Sequence, residues 1–415
     1  MDTTARKVYL KLSAMMFLQF FIWGSWFVTL GAYLGGALSA NGMQIGAAFS
    51  TQSWGAIIAP FFIGLVADRY FSAQKVLAVL HLSGAILMYW LYRATAFTDF
   101  YPLLLLYMVC YMPTLALVNS ISFRQLTDTA GQFSKIRVWG TVGWIAAGLA
   151  ISYVFSWDSA AGVASGALRN TFLLGAVSSL LLSVFSLFLP PTPPVPSGTA
   201  KSLGEMLGLD AIGLFKDLNF ALFFVLSILI CIPLAFYYQH ASPFLLELGV
   251  ENATGKMTLG QVSEVGFMLL LPFFLGRFGI KFTLLIGMLA WVVRYLLFAF
   301  GDADGRLAML ILGIALHGVC YDFFFVAGQI YTDSKAGERH RSSVQGLITL
   351  ATYGVGMLIG FSTAGYIADY FGGDASQKWQ SIWLFPAAFA AGVTVLFLLA
   401  FKDRLQADRG VVVSQ

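Results

Sequence analysis

The sequence predicts an all-α membrane protein, with twelve spanning helices built as two repeats of six. Three observations carry that expectation. Apolar runs of the roughly 20 residues needed to cross a bilayer core recur along the whole chain. Charged residues make up only 11% of its 415 positions, against about 25% in ordinary soluble domains. The basic residues are also sorted by side. With the N-terminus placed in the cytoplasm, only Arg93, Arg169, Lys256, Arg294, Arg306 and Lys378 of the 24 fall on the outer side. The positive-inside bias then puts both termini in the cytoplasm.

The predicted spans are 9–34, 44–67, 75–94, 100–121, 137–157, 170–189, 219–246, 258–277, 281–300, 307–332, 342–367 and 380–401. The first run is too long for the apolar core of a cleaved signal peptide and stays as a helix. On it Gln19, Trp23 and Trp26 recur at i, i+4 and i+7, a face open to a cavity or to helix packing. The second span runs into Gly64, Asp68, Arg69 and Lys75. This is close to a loop pattern in which charges pair with helix ends to latch one conformation. The fifth span begins with Arg137, Thr141 and Trp144 on one face. An arginine at the end of a span can simply snorkel to the interface, while the stripe as a whole can contact a ligand.

Residues 190–218 form the one long break between spans. Their proline-rich start favours an extended, semi-rigid cytoplasmic linker. It separates a six-helix bundle at 1–189 from a second at 219–415 that ends in a cytoplasmic tail. The seventh span carries Tyr237, Tyr238, Gln239, His240, Ser242 and Pro243. Such a polar, breakable stretch suits a gate or a ligand contact, with an interfacial aromatic belt as the alternative.

In the eighth span Glu264 lies near the middle of an apolar run, with Gln261 three residues earlier on the same face. A carboxylate at that depth costs roughly 2.5–3.5 kcal/mol or more, and such groups usually face a water-filled cavity. It can carry a proton or bind substrate hydroxyls. Arg277 and Lys281 follow, as the counterpart of the loop after the second span. In the tenth span His317 and Tyr321 share a face at i, i+4, and Asp322 interrupts an apolar segment. An ionisable group at midspan suits a proton relay, and a packing hydrogen bond is its plain alternative.

The halves repeat. Pro60–Phe62 recurs as Pro272–Phe274, Val109–Tyr111 as Val319–Tyr321, and Gly148 is matched by Gly360, all at nearly one offset. Parallel six-helix repeats around a central site describe the major facilitator architecture.

Together these segments are similar to the bacterial nucleoside:proton symporters of the major facilitator superfamily. The likeness runs from the first span to the last. It is carried by Trp23-Gly24-Ser25-Trp26, Ile136-Arg137-Val138-Trp139-Gly140-Thr141, Gln261-Val262-Ser263-Glu264 and 321–331. The resemblance implies a central site in which Arg137, Thr141, Gln261, Glu264 and Tyr321 hold a nucleoside, with Asp322 as the proton-coupling acid. Trp144 stands where the family has Phe, His317 where it has Tyr, and Tyr321 where it has Phe. Ala235 and Tyr238 stand where known members carry two amides that read the base, and Gln239 offers a neighbouring amide.

The expected activity is therefore import of nucleosides by proton symport. A symporter of another polar solute, such as a sugar or a modified nucleoside, is the alternative. The expected partners are nucleoside, protons and the lipid bilayer of a bacterial inner membrane, with the chain acting as a monomer and no nucleic acid bound. No cofactor or metal is expected. Cys110, Cys231 and Cys320 fall inside spans at no metal-ligand spacing. An intramembrane enzyme is disfavoured by the lack of paired-histidine and Gly-x-Ser-x-Gly motifs. A sensor on this fold would lack an added domain to relay its signal.

Overall fold

A computed structural model describes residues 3–62, 71–126, 129–194, 204, 209–372 and 375–402. Helix occupies each predicted span. Eight helices among the described residues are long and apolar enough to cross a membrane. Spans one, two and five fall outside that set. The first is broken by turns at Ser25–Thr29, between Thr3–Gly24 and Leu30–Ala37. The second, Gly42–Phe62, carries a buried polar run from Ser50 to Ser53. The fifth, Thr129–Leu149, opens with Lys135 and Arg137. Spans eight and nine run together as Ala253–Phe300, reversing at Gly279 with φ 73° and ψ 176°. That backbone region is essentially closed to residues with a Cβ, which explains a glycine in the loop.

The chain divides into two compact units, Met1–Met206 with Tyr238–Thr258, and Leu207–Tyr237 with Leu259–Gln415. Within the first, span one packs on span five, span two on span four, and span three on span six. Glycines let these backbones meet. A methyl group on Gly55 would lie 2.6 Å from the Met108 carbonyl oxygen, and one on Gly143 would collide with that of Phe17. Buried polar pairs add direction, as where the Ser183 hydroxyl donates to the Ala78 carbonyl at 2.7 Å. The C-terminal part of span seven seats against span one, where Gly31 faces the Gln239 carbonyl at 2.5 Å from an ideal Cβ.

The second unit repeats the same pairing among its own helices. Gly360 meets Cys231 and Ala235, joining spans seven and eleven. Gly318 meets Ser263 and Glu264, joining spans eight and ten. Tyr295 stacks on Trp383 at 5.6 Å, joining spans nine and twelve. The internal repeat seen in the residues is thus a repeat of helix contacts. This is the all-helical major facilitator fold.

The tight glycine contacts give a direct stability test. Gly143→Ala should destabilise the protein by about 1–3 kcal/mol, the usual cost of overpacking. Gly36→Ala should not, because nothing lies within 4 Å of its added methyl. Thermal unfolding midpoints in detergent should fall for the first and hold for the second.

Candidate functional site

The first unit gathers aromatic rings and one cation. The Arg137 guanidinium lies 4.1 Å from the centre of the Phe20 ring. Gly140 makes room for that contact, since a side chain there would meet both Phe20 and the Arg137 Nη1. One helical turn apart from each other, Arg137, Thr141 and Trp144 are all half-buried on span five. Trp144 packs edge-on to Trp23 at 5.6 Å and to Phe27 at 6.2 Å. Tyr238 meets the same Phe27 at 5.7 Å. Arg137, Trp144 and Tyr238 thus border one aromatic cluster, and Thr141 lies between the first two along span five. Gln239 is turned elsewhere: it is fully buried, and its amide nitrogen lies 3.5 Å from the Gly42 carbonyl.

Gln19, open to two readings in the sequence, is a packing residue. Its amide nitrogen donates to the Thr114 hydroxyl at 2.7 Å, and its oxygen lies 2.8 Å from the His81 Nε2. His81 in turn reaches the Ser179 hydroxyl at 3.1 Å. This network binds spans one, three, four and six, and no spacing within one helix announces it.

The second unit gathers the acids. Span ten meets span eight backbone to backbone: an ideal Cβ on Gly318 would lie 2.6 Å from the Glu264 nitrogen. The Gly318 N–H donates to the Ser263 hydroxyl at 2.9 Å. That crossing brings the Gln261–Glu264 face of span eight, half-buried, beside His317, Tyr321 and Asp322 of span ten. Asp322 lies one helical turn beyond Gly318, the residue that meets the Glu264 backbone. The Tyr321 hydroxyl lies 2.6 Å from that of Tyr353 on span eleven.

Asp322 opens a five-residue π-helical turn, Asp322–Val326. Such turns widen a helix locally and recur at functional positions. Asp322 is fully buried, and neither carboxylate oxygen has a hydrogen-bond partner among the described residues. An ionised carboxylate so placed costs several kcal/mol, and a proton removes that charge. Among the described residues the packing hydrogen bond that the sequence left open for it is not made.

Arg294, tallied on the outer side and placed by the sequence within span nine, lies in that helix and is fully buried. Its guanidinium lies on the Tyr237 ring, 3.4 Å from the centre, and reaches the His317 Nδ1 at 3.1 Å. Of the loop residues, Arg277 is exposed near Gly279, while Asp68 and Arg69 lie outside the described residues.

The chain is 46% identical to the candidate nucleoside transporter YegT of Escherichia coli (strain K12), over 97% of this chain and 95% of that one. It is 35% identical to a xanthosine permease of the same organism, over 95% and 96% of the two chains. It is 33% identical to that organism's nucleoside permease NupG, over 95% and 96%. A crystal structure of a NupG mutant superposes with a TM-score of 0.88 at 32% identity, covering 95% of this chain and all of the other. Residues 6–406 match the family described as Nucleoside H+ symporter. On that match, and on relatives at this identity along the whole chain, the protein belongs to the nucleoside:proton symporters of the major facilitator superfamily.

Proposed function

We propose that this protein imports nucleosides by proton symport through alternating access, as a monomer in a bacterial inner membrane with both termini in the cytoplasm. Its 1–189 and 219–415 bundles act as the two moving halves, joined by the 190–218 linker. It works as a carrier, without covalent chemistry. One observation supports the reading above others: a carboxylate with no donor, Asp322, sealed beside a second acid, Glu264, at a helix crossing. A proton-coupled carrier needs one group that holds a proton in one state and releases it in another. It also needs a second that answers to substrate.

The roles divide by chemistry. A ribose offers vicinal hydroxyls, which Glu264 accepts from and which Arg137, Thr141 and Gln261 can also engage. A base offers a flat face for Trp144, Tyr238 and Tyr321 to stack on. His317 supplies a polar contact to its edge. Asp322 takes the proton, so that no bare charge crosses the closed cavity. Asp68, Arg69 and Arg277 latch one conformation through charges at helix ends.

The test is uptake of labelled uridine by proteoliposomes carrying the purified chain. Accumulation should appear with an acidic exterior and disappear when an ionophore collapses the pH difference. Uptake indifferent to the gradient would remove the coupling. Equal competition by glucose or sucrose would remove the nucleoside.

A further inference from the structure

His317 is enclosed on several sides. Tyr237 of span seven stacks on its ring at 5.3 Å, and Tyr321 of its own helix lies tilted at 5.8 Å. On span eight Gly260 leaves room for the ring, with an ideal Cβ 3.2 Å from that of His317. Ser263 and Glu264 follow one turn further on that span. Span nine supplies the charged neighbour, Arg294, whose Nη1 is 3.1 Å from the His317 Nδ1.

A guanidinium has donors and no acceptor, and it remains charged at any physiological pH. In that bond the His317 Nδ1 must therefore accept. An imidazole that accepts at Nδ1 carries its proton at Nε2, and it cannot be the imidazolium while the bond stands. Rings also hold the partner in place. Arg294 is fully buried against the Tyr237 face, with Trp291 and Phe298 rings 5.5 and 5.7 Å away. Cation–π contacts of this kind hold a desolvated guanidinium. Among the described residues no carboxylate forms a salt bridge with it.

We infer that Arg294 is a positioning residue for substrate recognition, holding His317 as the neutral Nε2–H tautomer so that the ring always offers the substrate a donor. This rests on the reading that His317 touches the nucleoside, and it narrows the substrate class. The favoured base presents a carbonyl oxygen at the edge facing His317. An amino group there would meet donor with donor and leave both unpaired, the kind of mismatch that polar sites reject most strongly. His317 is also removed from the proton pathway, which leaves the acids to carry it.

Two measurements separate the parts. Nitrogen-15 spectra of histidine-labelled wild-type protein, with His317 assigned by its loss in His317→Gln, should show Nε2 protonated and Nδ1 bare from about pH 5.5 to 8. An Nδ1–H tautomer or an imidazolium in that range would overturn the inference, and this readout does not require an Arg294 variant to fold. Equilibrium binding of uridine, cytidine, inosine and adenosine is the second. Wild type should prefer each keto base to its amino counterpart by roughly tenfold, near the tenfold per 1.4 kcal/mol that one mispaired polar contact is worth. Arg294→Met should lose that preference, and its His317 nitrogen signals should no longer be confined to the Nε2–H form. If Arg294→Met binds like wild type at every pH while His317→Gln weakens binding, Arg294 does not position the ring. If His317→Gln and His317→Phe both bind all four nucleosides like wild type, His317 is not a contact. The recognition reading then fails whatever the spectra show.

Discussion

Replacing Glu264 by glutamine should lower uridine uptake about 10- to 100-fold while the protein stays folded. The amide keeps the size and shape of the side chain and removes its charge. Hydrogen bonds to a charged partner are worth roughly 1.5–3 kcal/mol, and each 1.4 kcal/mol is tenfold in affinity. The helix crossing that places Glu264 would survive, because Gly318 meets the backbone there and hydrogen-bonds to Ser263. Initial rates and KM in proteoliposomes, set beside an unchanged thermal midpoint, check the prediction. Uptake with wild-type rate and KM would make Glu264 a structural residue.

Asp322→Asn should uncouple transport without abolishing exchange. Each proton moving down a one-unit pH difference supplies about 1.4 kcal/mol, enough for tenfold accumulation. The asparagine cannot take that proton, so uptake driven by a pH gradient should stop at equal concentrations inside and out. Exchange of external for internal nucleoside needs no net proton movement and should persist. The substitution should be tolerated structurally, since neither carboxylate oxygen makes a hydrogen bond that would be lost. A variant that still concentrates uridine in response to pH would move the coupling acid elsewhere, with Glu264 the first place to look.

Much of the architecture was legible in the residues because a bilayer imposes its dimensions on any chain that crosses it. Apolar runs of sufficient length predicted each helix, while the positive φ of Gly279 at the reversal between spans eight and nine came from the structure. The repeat was legible too, since the recurring Pro-Phe-Phe and Val-Cys-Tyr segments fall in spans that correspond between the two sets of pairings. Glu264 and Asp322 stood out for a related reason: acids are costly in an apolar run, so their presence is itself a signal.

Other features existed only once the helices had packed. The sequence places Arg294 within span nine but cannot show what surrounds it, because hydropathy weighs one helix at a time. Its surroundings are rings from spans seven and nine and an imidazole from span ten, and no window along the chain contains them together. The same holds for Gln19, whose partners come from spans three and four. The sealing of Asp322 likewise depends on what surrounds it, and the sequence could show only that an acid was there. Spanning is a local property of composition and length, so the sequence alone determined it. Partnership between buried polar groups depends on which helix faces touch, so it was decided by the tertiary structure.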